Sequence, residues 1–333
     1  MKRGILPPVP IELFGPQDLD TINLWKLFFL ASDEDRNRWV DSCSQILGDI
    51  SFFSKALVGM ARENNIEELW YPEPCFASLF KKAVDILKTE GVKIFAFKYP
   101  PITNTNFLKK SVSDALHILN MSESEMETRI QAWQPLRIAI RRLDGVQTRS
   151  LALENMAYVE TLHSILDPTE SLPQLRRMAE TRVALEPRNY DKDPSLRIGI
   201  LEMTPCLKSF FSVLENCGAV VVYDELGLEN FPLGKSSDTF SLDDLYSQVS
   251  FPLGIKARKD KLEKELKERK IDGLIYGTFN SLEIKSNADY LQRELKIPVF
   301  IYEIKQENNK AMIENNLLER FLSTILQKRG EKK

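Results

Sequence analysis

The four cysteines are the residues of this chain that could most readily do chemistry. They lie at positions 43, 75, 206 and 217 of 333, with no CxxC pair, so reduced thiols or metal ligands are favoured over a disulfide framework. Cys75 lies in "EELWYPEPCFASLFKKAVDIL" (67–87), where a buried strand, a Pro-Glu-Pro stop and an amphipathic helix follow one another. The positive end of a helix dipole favours the thiolate, which is the form of cysteine that binds metal. Cys75 is therefore a candidate metal ligand on a strand-to-helix turn.

The other three cysteines differ in their predicted surroundings. Cys43, in "DSCSQILGDISFF", precedes a helical run, and Cys206, in "EMTPCLKSFF", lies on a second strand-to-helix turn. Cys217 ends the helix predicted over 206–217. A cysteine is also a common small buried residue. The residue types alone therefore leave metal binding and packing open for the first two and for Cys75, and favour packing for Cys217.

Short apolar strands alternate with amphipathic helices in both halves of the chain. In the first half, strands are predicted at 67–71 and 92–98 around a helix over 76–90. In the second half the predicted strands are, in order, 196–201, 218–225, 272–277 and 297–303, each separated from the next by a helix. Near-continuous apolar strands of this kind are typical of parallel sheets covered on both faces. The sequence therefore predicts an α/β fold with two doubly wound parallel-sheet domains.

A helical region and a linker separate the two sets of strands. Residues 104–186 hold only helical patterns, and the longest of these begins with a capping box, "SESE" (122–125). The segment "EPRNYDKDPS" (186–195) has two prolines and no apolar run, which is typical of a linker. We therefore predict an N-terminal α/β domain with a helical layer, residues 1–186, and a C-terminal α/β domain, residues 195–333.

The charge balance and the terminal segment exclude several classes of function. The chain carries 45 basic and 48 acidic residues spread along its length, for a net charge of −3, so it has no basic footprint for nucleic acid or an anionic membrane. No stretch approaches the roughly 20 apolar residues of a spanning helix. Prolines interrupt the N-terminal "MKRGILPPVPIELFG" where a signal peptide needs an apolar run. A cytoplasmic protein without nucleic-acid or membrane partners is predicted.

Motifs of the common enzyme classes are absent from the sequence. It contains no GxGxxG, GxxxxGK[ST], GxSxG or HExxH, which argues against nucleotide-fold, serine-hydrolase and zinc-protease functions. His117 and His163 lie in helical patterns without a partner at metal-site spacing, so structural roles are favoured. The run "KARKDKLEKELKERK" has paired opposite charges at helical spacing and predicts a solvated helix face.

The order of several segments resembles one known family. "WYPEPCFASLFK" is similar to a family turn that carries a cysteine after a strand, "FKYPP" to the next strand, which ends in proline, and "LKIPVFIYE" to a late strand of the form "GIPVLLLE". "MTPCLKSFFSVLENCGAVVVYDELGLENF" is similar to a segment that runs through an acidic helix end and "GA-VV-DD" into a loop. Over roughly residues 40–326 the chain thus resembles the 2-hydroxyacyl-CoA dehydratase family, whose D-component proteins also include benzoyl-CoA reductase subunits.

This resemblance implies two flavodoxin-like α/β domains with a four-iron four-sulfur cluster between them, held by three cysteines. Cys43 resembles the first of these ligands and Cys75 the second. At the third place the family's phenylalanine-cysteine pair is Phe279-Asn280, so Asn280, Cys206 or solvent would complete the site. If the cluster is bound, we expect Cys43, Cys75 and Asn280 to converge at the carboxyl ends of the strands.

The chain departs from the family's pattern at several places. An amide oxygen such as that of Asn280 is a poor iron ligand beside thiolates, because soft sulfur is what selects iron–sulfur clusters. Gly227 stands where relatives often carry a cysteine, and Phe251-Pro252 replaces the family's Cys-Pro. The helix "NNLLERF" lacks the arginine of the family's "TRIEAF". The missing third cysteine and the altered helix favour a relative that has lost the cluster.

Three functions follow from the resemblance. In the first, the chain is a subunit of a 2-hydroxyacyl-CoA dehydratase or acyl-CoA reductase-type enzyme, which carries out radical dehydration of a 2-hydroxyacyl-CoA thioester. Its partners would be a second dehydratase-family subunit, in a heterodimer or homodimer, an ATP-dependent activator iron–sulfur protein and the acyl-CoA substrate. In the second, the chain is a non-catalytic pseudo-subunit or structural partner without the cluster. The third and weakest is a protein that binds a CoA-like ligand without redox chemistry.

Overall fold

A computed structural model describes most of the chain. The described residues are 1–15, 20–43, 52–74, 77–100, 105–151, 153–166, 170–184, 196–202, 207–234, 241–250, 254–278, 281–304 and 308–330. Within them the strands form two separate four-stranded sheets, in which all neighbouring strands are parallel. The predicted α/β fold with two parallel-sheet domains is confirmed.

The first sheet has the strand order β2-β1-β3-β4. Its strands are β1 (Arg3–Ile5), β2 (Thr21–Asn23), β3 (Glu68–Glu73) and β4 (Lys93–Lys98). The helices described between these strands are α1 (Leu24–Leu30), α2 (Asp33–Asp41), α3 (Phe52–Glu63) and α4 (Ala77–Thr89). Sequence reasoning predicted β3 and β4 but missed β1 and β2, because three residues are too few to show an alternating pattern.

Helices follow the first sheet in the chain. They are α5 (Thr105–Ile118), α6 (Glu123–Ser150), α7 (Asn155–Ser164) and α8 (Leu172–Ala184). These confirm the helical patterns predicted over 104–186 wherever that region is described. Ser122 caps α6, since its Oγ accepts a hydrogen bond from the backbone N–H of Glu125 at 3.2 Å, as the capping box predicts.

The second sheet has the order β6-β5-β7-β8, so both sheets follow the flavodoxin-type order 2-1-3-4. Its strands are β5 (Leu196–Glu202), β6 (Ala219–Asp224), β7 (Gly273–Thr278) and β8 (Val299–Glu303). The helices of this part of the chain are α9 (Lys208–Asn216), α10 (Glu225–Glu229), α11 (Leu242–Tyr246), α12 (Lys259–Arg269), α13 (Ser281–Leu295) and α14 (Asn308–Gly330). β6 and β7 are buried along their whole length, as continuous apolar runs predict.

The chain divides into two compact units. The first unit consists of Met1–Arg141, Leu162–Glu180 and Glu229–Gly254, and the second of Arg142–Thr161, Thr181–Leu228 and Ile255–Lys333. The predicted linker over 186–195 lies outside the described residues, so the boundary predicted between 1–186 and 195–333 stays a prediction. No helix among the described residues is long and apolar enough to cross a membrane.

The packing of α2 on α3 depends on Gly59. A Cβ atom at this position would lie 2.3 Å from the carbonyl oxygen and 2.7 Å from the Cα of Trp39, and these backbone atoms cannot rotate away as a side chain can. The Trp39 side chain is buried and donates from Nε1 to Glu63 Oε2 at 3.0 Å. The missing side chain at residue 59 therefore sets how closely the two helices approach.

Gly59→Ala is expected to lower the free energy of unfolding by about 1–3 kcal/mol, because the added methyl group overpacks a backbone contact. Equilibrium unfolding in urea, followed by tryptophan fluorescence, measures the change. Gly254→Ala is the matched control, since no atom lies within 4 Å of a Cβ built there, and its effect is expected to stay within about 0.5 kcal/mol. Equal stability of the two variants would contradict the close approach of the helices.

Candidate functional site

In each sheet a glutamate that pairs with a buried arginine lies at or after the carboxyl end of a strand. Ligands of open parallel sheets bind at the carboxyl ends of the strands. Glu12 lies in a short 3-10 helix (Ile11–Leu13) after β1, and Glu202 is the last residue of β5. The two strands occupy the same place in their sheets. We call the groups around these residues the Glu12 cluster (Glu12, Arg137 and Tyr246) and the Glu202 cluster (Glu202, Glu225, Arg258 and Tyr276).

In the Glu12 cluster a carboxylate and a guanidinium are paired away from water. The side chains of Glu12 and Arg137 form an ion pair in which both are 0% exposed. Tyr246 Oη donates to Glu12 Oε2 at 2.9 Å and accepts from the backbone N–H of Ile11 at 3.3 Å. Arg137 also donates from Nε to the carbonyl oxygen of Pro232 at 3.2 Å. Both oxygens of the Glu12 carboxylate are thus engaged within the first unit.

Burial changes the ionisation of both partners of Glu12. It lowers the pKa of Arg137 to about 10, which still leaves the guanidinium charged at neutral pH. It raises the pKa of Tyr246 far above its usual value, so the phenol keeps the proton that it donates. Arg137 Cζ also lies 4.9 Å from the ring centroid of Phe231, a distance at which a cation is attracted to the ring. The Glu12 cluster is therefore a closed ion pair rather than an open site for proton transfer.

In the Glu202 cluster one arginine holds two carboxylates. The Arg258 side chain is 0% exposed and pairs with Glu202, and with Glu225 at an Nη1 to Oε1 distance of 3.0 Å. The backbone N–H of Glu202 donates to Glu225 Oε2 at 2.9 Å, and Tyr276 Oη donates to Glu202 Oε1 at 2.8 Å. Burial, together with the charge of Glu202, raises the pKa of Tyr276 far above its usual value. The tyrosine therefore stays a donor to the carboxylate.

Glu202 has a left-handed backbone conformation, with φ of 61°, which is uncommon for a residue other than glycine. Such a conformation costs of order 1–3 kcal/mol and persists where the surroundings fix it. Its contacts with Arg258, Glu225 and Tyr276 provide that fixation. At the carboxyl end of β5, Glu202 is thus held by other side chains of the same unit.

Cys43 lies at the amino ends of the strands of the first sheet, which is the end opposite to the one where ligands of such sheets bind. Its side chain follows α2, is 1% exposed, and accepts a hydrogen bond from Arg62 Nη1 at 3.5 Å. Arg62 belongs to the last turn of α3, and its Nε donates at 3.2 Å to Glu90 Oε2, just beyond the end of α4. From α3 the chain turns into β3, where the N–H of Glu67 donates to the carbonyl oxygen of Lys2 at 2.9 Å, beside the start of β1. These contacts place Cys43 at the amino ends of the strands.

The other two predicted ligands, Cys75 and Asn280, lie outside the described residues. In the sequence each follows the carboxyl end of a strand, since β3 ends at Glu73 and β7 at Thr278. The six residues of β3 span roughly 17 Å at about 3.3 Å per residue, which separates this end of the strand from the edge where Cys43 lies. The convergence of Cys43 with Cys75 and Asn280 stays a prediction.

Cys217 and the two histidines have structural surroundings. Cys217 is half-buried at the end of α9, and burial raises the pKa of its thiol. His163 is fully buried, and its Nδ1 accepts a hydrogen bond from Trp25 Nε1 at 3.1 Å. His117 is exposed on α5. The burial of His163 and Cys217 agrees with the structural roles that the sequence favoured, and the role of His117 stays a prediction.

The described residues do not by themselves form an iron–sulfur site. Cys43 is the one predicted ligand among them, and Cys206, the alternative third ligand, also lies outside them. Within the described ranges no group of three His, Cys, Asp or Glu side chains could hold a metal ion. Cys43 Sγ has polar contacts with Arg62 Nη1 at 3.5 Å and Ser42 Oγ at 3.4 Å, and a cluster would need further sulfur ligands within roughly 6–7 Å. One described cysteine does not test the predicted ligand set, so the cluster stays a prediction.

Sequence reasoning missed both clusters of buried charge. Glu12 and Tyr246 are 234 positions apart, and Glu202 and Tyr276 are 74 apart, so no local pattern joins them. A signal was nonetheless present, because Glu12 lies in the apolar "PPVPIELF" and Arg137 in the apolar "WQPLRIAI". A single charged residue within an apolar run indicates a buried side chain that needs a partner.

Comparison with known proteins identifies the family of this chain. The family model described as "2-hydroxyglutaryl-CoA dehydratase, D-component" matches residues 73–323 of the 333-residue chain. This range includes the second sheet, Cys75 and Asn280, but not Cys43. No curated protein matches the chain. Because the family model matches well over half of the sequence, the chain belongs to the 2-hydroxyglutaryl-CoA dehydratase D-component family.

Proposed function

We propose that this chain is a subunit of a 2-hydroxyacyl-CoA dehydratase-type enzyme and works beside a second subunit of the same family. The family match over residues 73–323 supports this proposal, as do the two parallel sheets of identical strand order. The substrate of the assembly would be a 2-hydroxyacyl-CoA thioester, and its electron donor an ATP-dependent activator iron–sulfur protein. We further propose that this chain is the non-catalytic partner, without a complete cluster of its own.

The position of Cys43 is the main support for the proposal that this chain is the non-catalytic partner. A cluster needs its sulfur ligands gathered at one point. Cys43 lies at the amino ends of the first sheet's strands beside Arg62, whereas Cys75 follows the carboxyl end of β3 in the sequence. Asn280 stands where the resembled family has a cysteine, and an amide is a poor iron ligand. These observations support a subunit that has kept the fold and lost the cluster.

A second candidate is a subunit that binds the cluster itself. Cys75 favours this candidate, because it lies within the matched region and between β3 and α4 in the sequence. Cys43 would be the first ligand, Cys75 the second, and Asn280, Cys206 or solvent the third. The redox chemistry of the assembly would then reside in this chain rather than in its partner.

Anaerobic purification, followed by iron and sulfide analysis and reduced-state EPR spectroscopy, separates the two candidates. We expect the wild-type chain to contain far less than one cluster per chain, because its ligand set is incomplete. Asn280→Cys restores the missing thiol and is expected to raise the iron content.

The cysteine variants supply the control and the contrary outcome. Cys217→Ala removes a half-buried thiol at the end of α9 and is expected to leave the iron content unchanged. A full complement of iron in the wild type that is lost in Cys75→Ala would overturn the non-catalytic role and establish the second candidate.

A further inference from the structure

A cavity of about 370 Å³ lies in the first unit between α5, α6 and α11. Its volume is within the range of small-molecule sites, roughly 300–1,000 Å³. Buried apolar side chains from all three helices form its walls: Val112, Leu116, Met126, Ile130 and Leu242. The cavity belongs to the helical part of the unit and contains no residue of the Glu12 cluster, so it is independent of the proposed function.

Asp243 places a buried carboxylate on the wall of this cavity. The residue is 7% exposed and lines the cavity from the first turn of α11. Its Oδ2 is buried and has no hydrogen-bond partner in the described part of the chain. A buried carboxylate oxygen without a partner is costly, and native structures contain few of them. The side chain therefore indicates a ligand that supplies the missing donor.

The other charged residues around the cavity also favour a positive ligand. Glu123 and Glu127 line it from neighbouring turns of α6, and both are exposed. Lys109 is the one cationic side chain among the described lining residues. Three carboxylates and one ammonium group therefore line the cavity, so negative charge predominates there.

We infer that this cavity binds an organic cation, with an alkylammonium or guanidinium group against Asp243 and an apolar body against the walls. A charged donor satisfies a buried carboxylate more strongly than a neutral one does. A metal ion is disfavoured, because no group of three His, Cys, Asp or Glu side chains in the described ranges is arranged to hold one. The cation would come from a free amine or from the lysine or arginine side chain of a partner subunit.

Titration of the full chain with n-pentylammonium, measured by calorimetry, tests this inference. 1-Pentanol is the neutral probe of the same shape. Asp243→Asn keeps the shape of the side chain and removes its charge, and is expected to weaken binding of n-pentylammonium by about tenfold to a hundredfold while leaving 1-pentanol unchanged. Asp114→Asn is the matched control, because Asp114 is exposed on α5 and does not line the cavity.

Three results would overturn the inference: no saturable binding of n-pentylammonium, equal affinity of the wild type for the two probes, or unchanged affinity in Asp243→Asn. The comparison of the two probes uses the wild-type chain, so the test holds even if Asp243→Asn does not fold. Nα-acetyl-lysine N-methylamide then identifies the source of the cation. Binding comparable to that of n-pentylammonium supports a partner's side chain, and binding more than about tenfold weaker supports a free amine.

Discussion

Arg258→Met is expected to lower the free energy of unfolding by about 3–5 kcal/mol, because removing one partner of a buried ion pair leaves the remaining charge uncompensated. The side chain of Glu225 is 0% exposed and that of Glu202 is 20% exposed, so water cannot replace the guanidinium at both carboxylates. Methionine retains much of the volume of arginine, which makes the lost charge the main effect. Equilibrium unfolding in urea, followed by far-UV circular dichroism, measures the change.

Two further variants test the cause of this loss. Arg293→Met is the control in the same unit, because its side chain is 72% exposed beside Glu294, and its effect is expected to stay below about 1 kcal/mol. Glu225→Gln in the Arg258→Met background removes one uncompensated charge and is expected to recover part of the stability. Strictly additive effects, or a loss no larger than that of Arg293→Met, would show that the Glu202 cluster holds no buried charge.

Arg137→Met is expected to destabilise the first unit by a similar amount, about 3–5 kcal/mol. Both members of the ion pair are 0% exposed, and the variant leaves Glu12 with the Tyr246 hydroxyl as its donor. All tryptophans of the chain lie in the first unit: Trp25, Trp39, Trp70 and Trp133. Urea unfolding followed by tryptophan fluorescence therefore reports on this unit.

The matching change at Glu12 should reverse most of that loss. Glu12→Gln together with Arg137→Met removes both buried charges and keeps an acceptor for Tyr246, and replacing both members of such a pair is often close to neutral. Arg177→Met, at an exposed position of α8, is the control. If Arg137→Met unfolds at the same urea concentration as Arg177→Met, the ion pair is not buried in solution.

The fold could be predicted where the strands are long and buried. β6 and β7 are apolar over their whole length, so hydrophobic burial alone identifies them and the amphipathic helices between them. β1 could not be identified in this way. It has three residues, and its extended state depends on pairing with β2 and β3 on its two sides, which no local pattern reports.

The candidate site could be predicted only in part. Cys43 is recognisable as a thiol near a helix terminus, but its place in the fold depends on how α2 packs on α3, for example where the Trp39 backbone meets Gly59. The spacing of apolar residues along a helix indicates which of its faces is buried. It does not indicate which other helix covers that face. The same limit applies to Glu12, since its apolar surroundings indicate burial but do not name Arg137 as its partner.

The hydrogen bond from Tyr246 to Glu12 has a consequence for the order of folding during synthesis. The two residues are 234 positions apart, and ribosomes add about 5–20 residues per second, so roughly 10 to 50 seconds separate their appearance. Contacts that close so long a loop form late, because the chain loses the entropy of loop closure before these contacts can stabilise it. The segment that carries Glu12 is therefore synthesised early but is among the last to reach its native environment. The apolar residues of this segment stay exposed in the nascent chain throughout that interval.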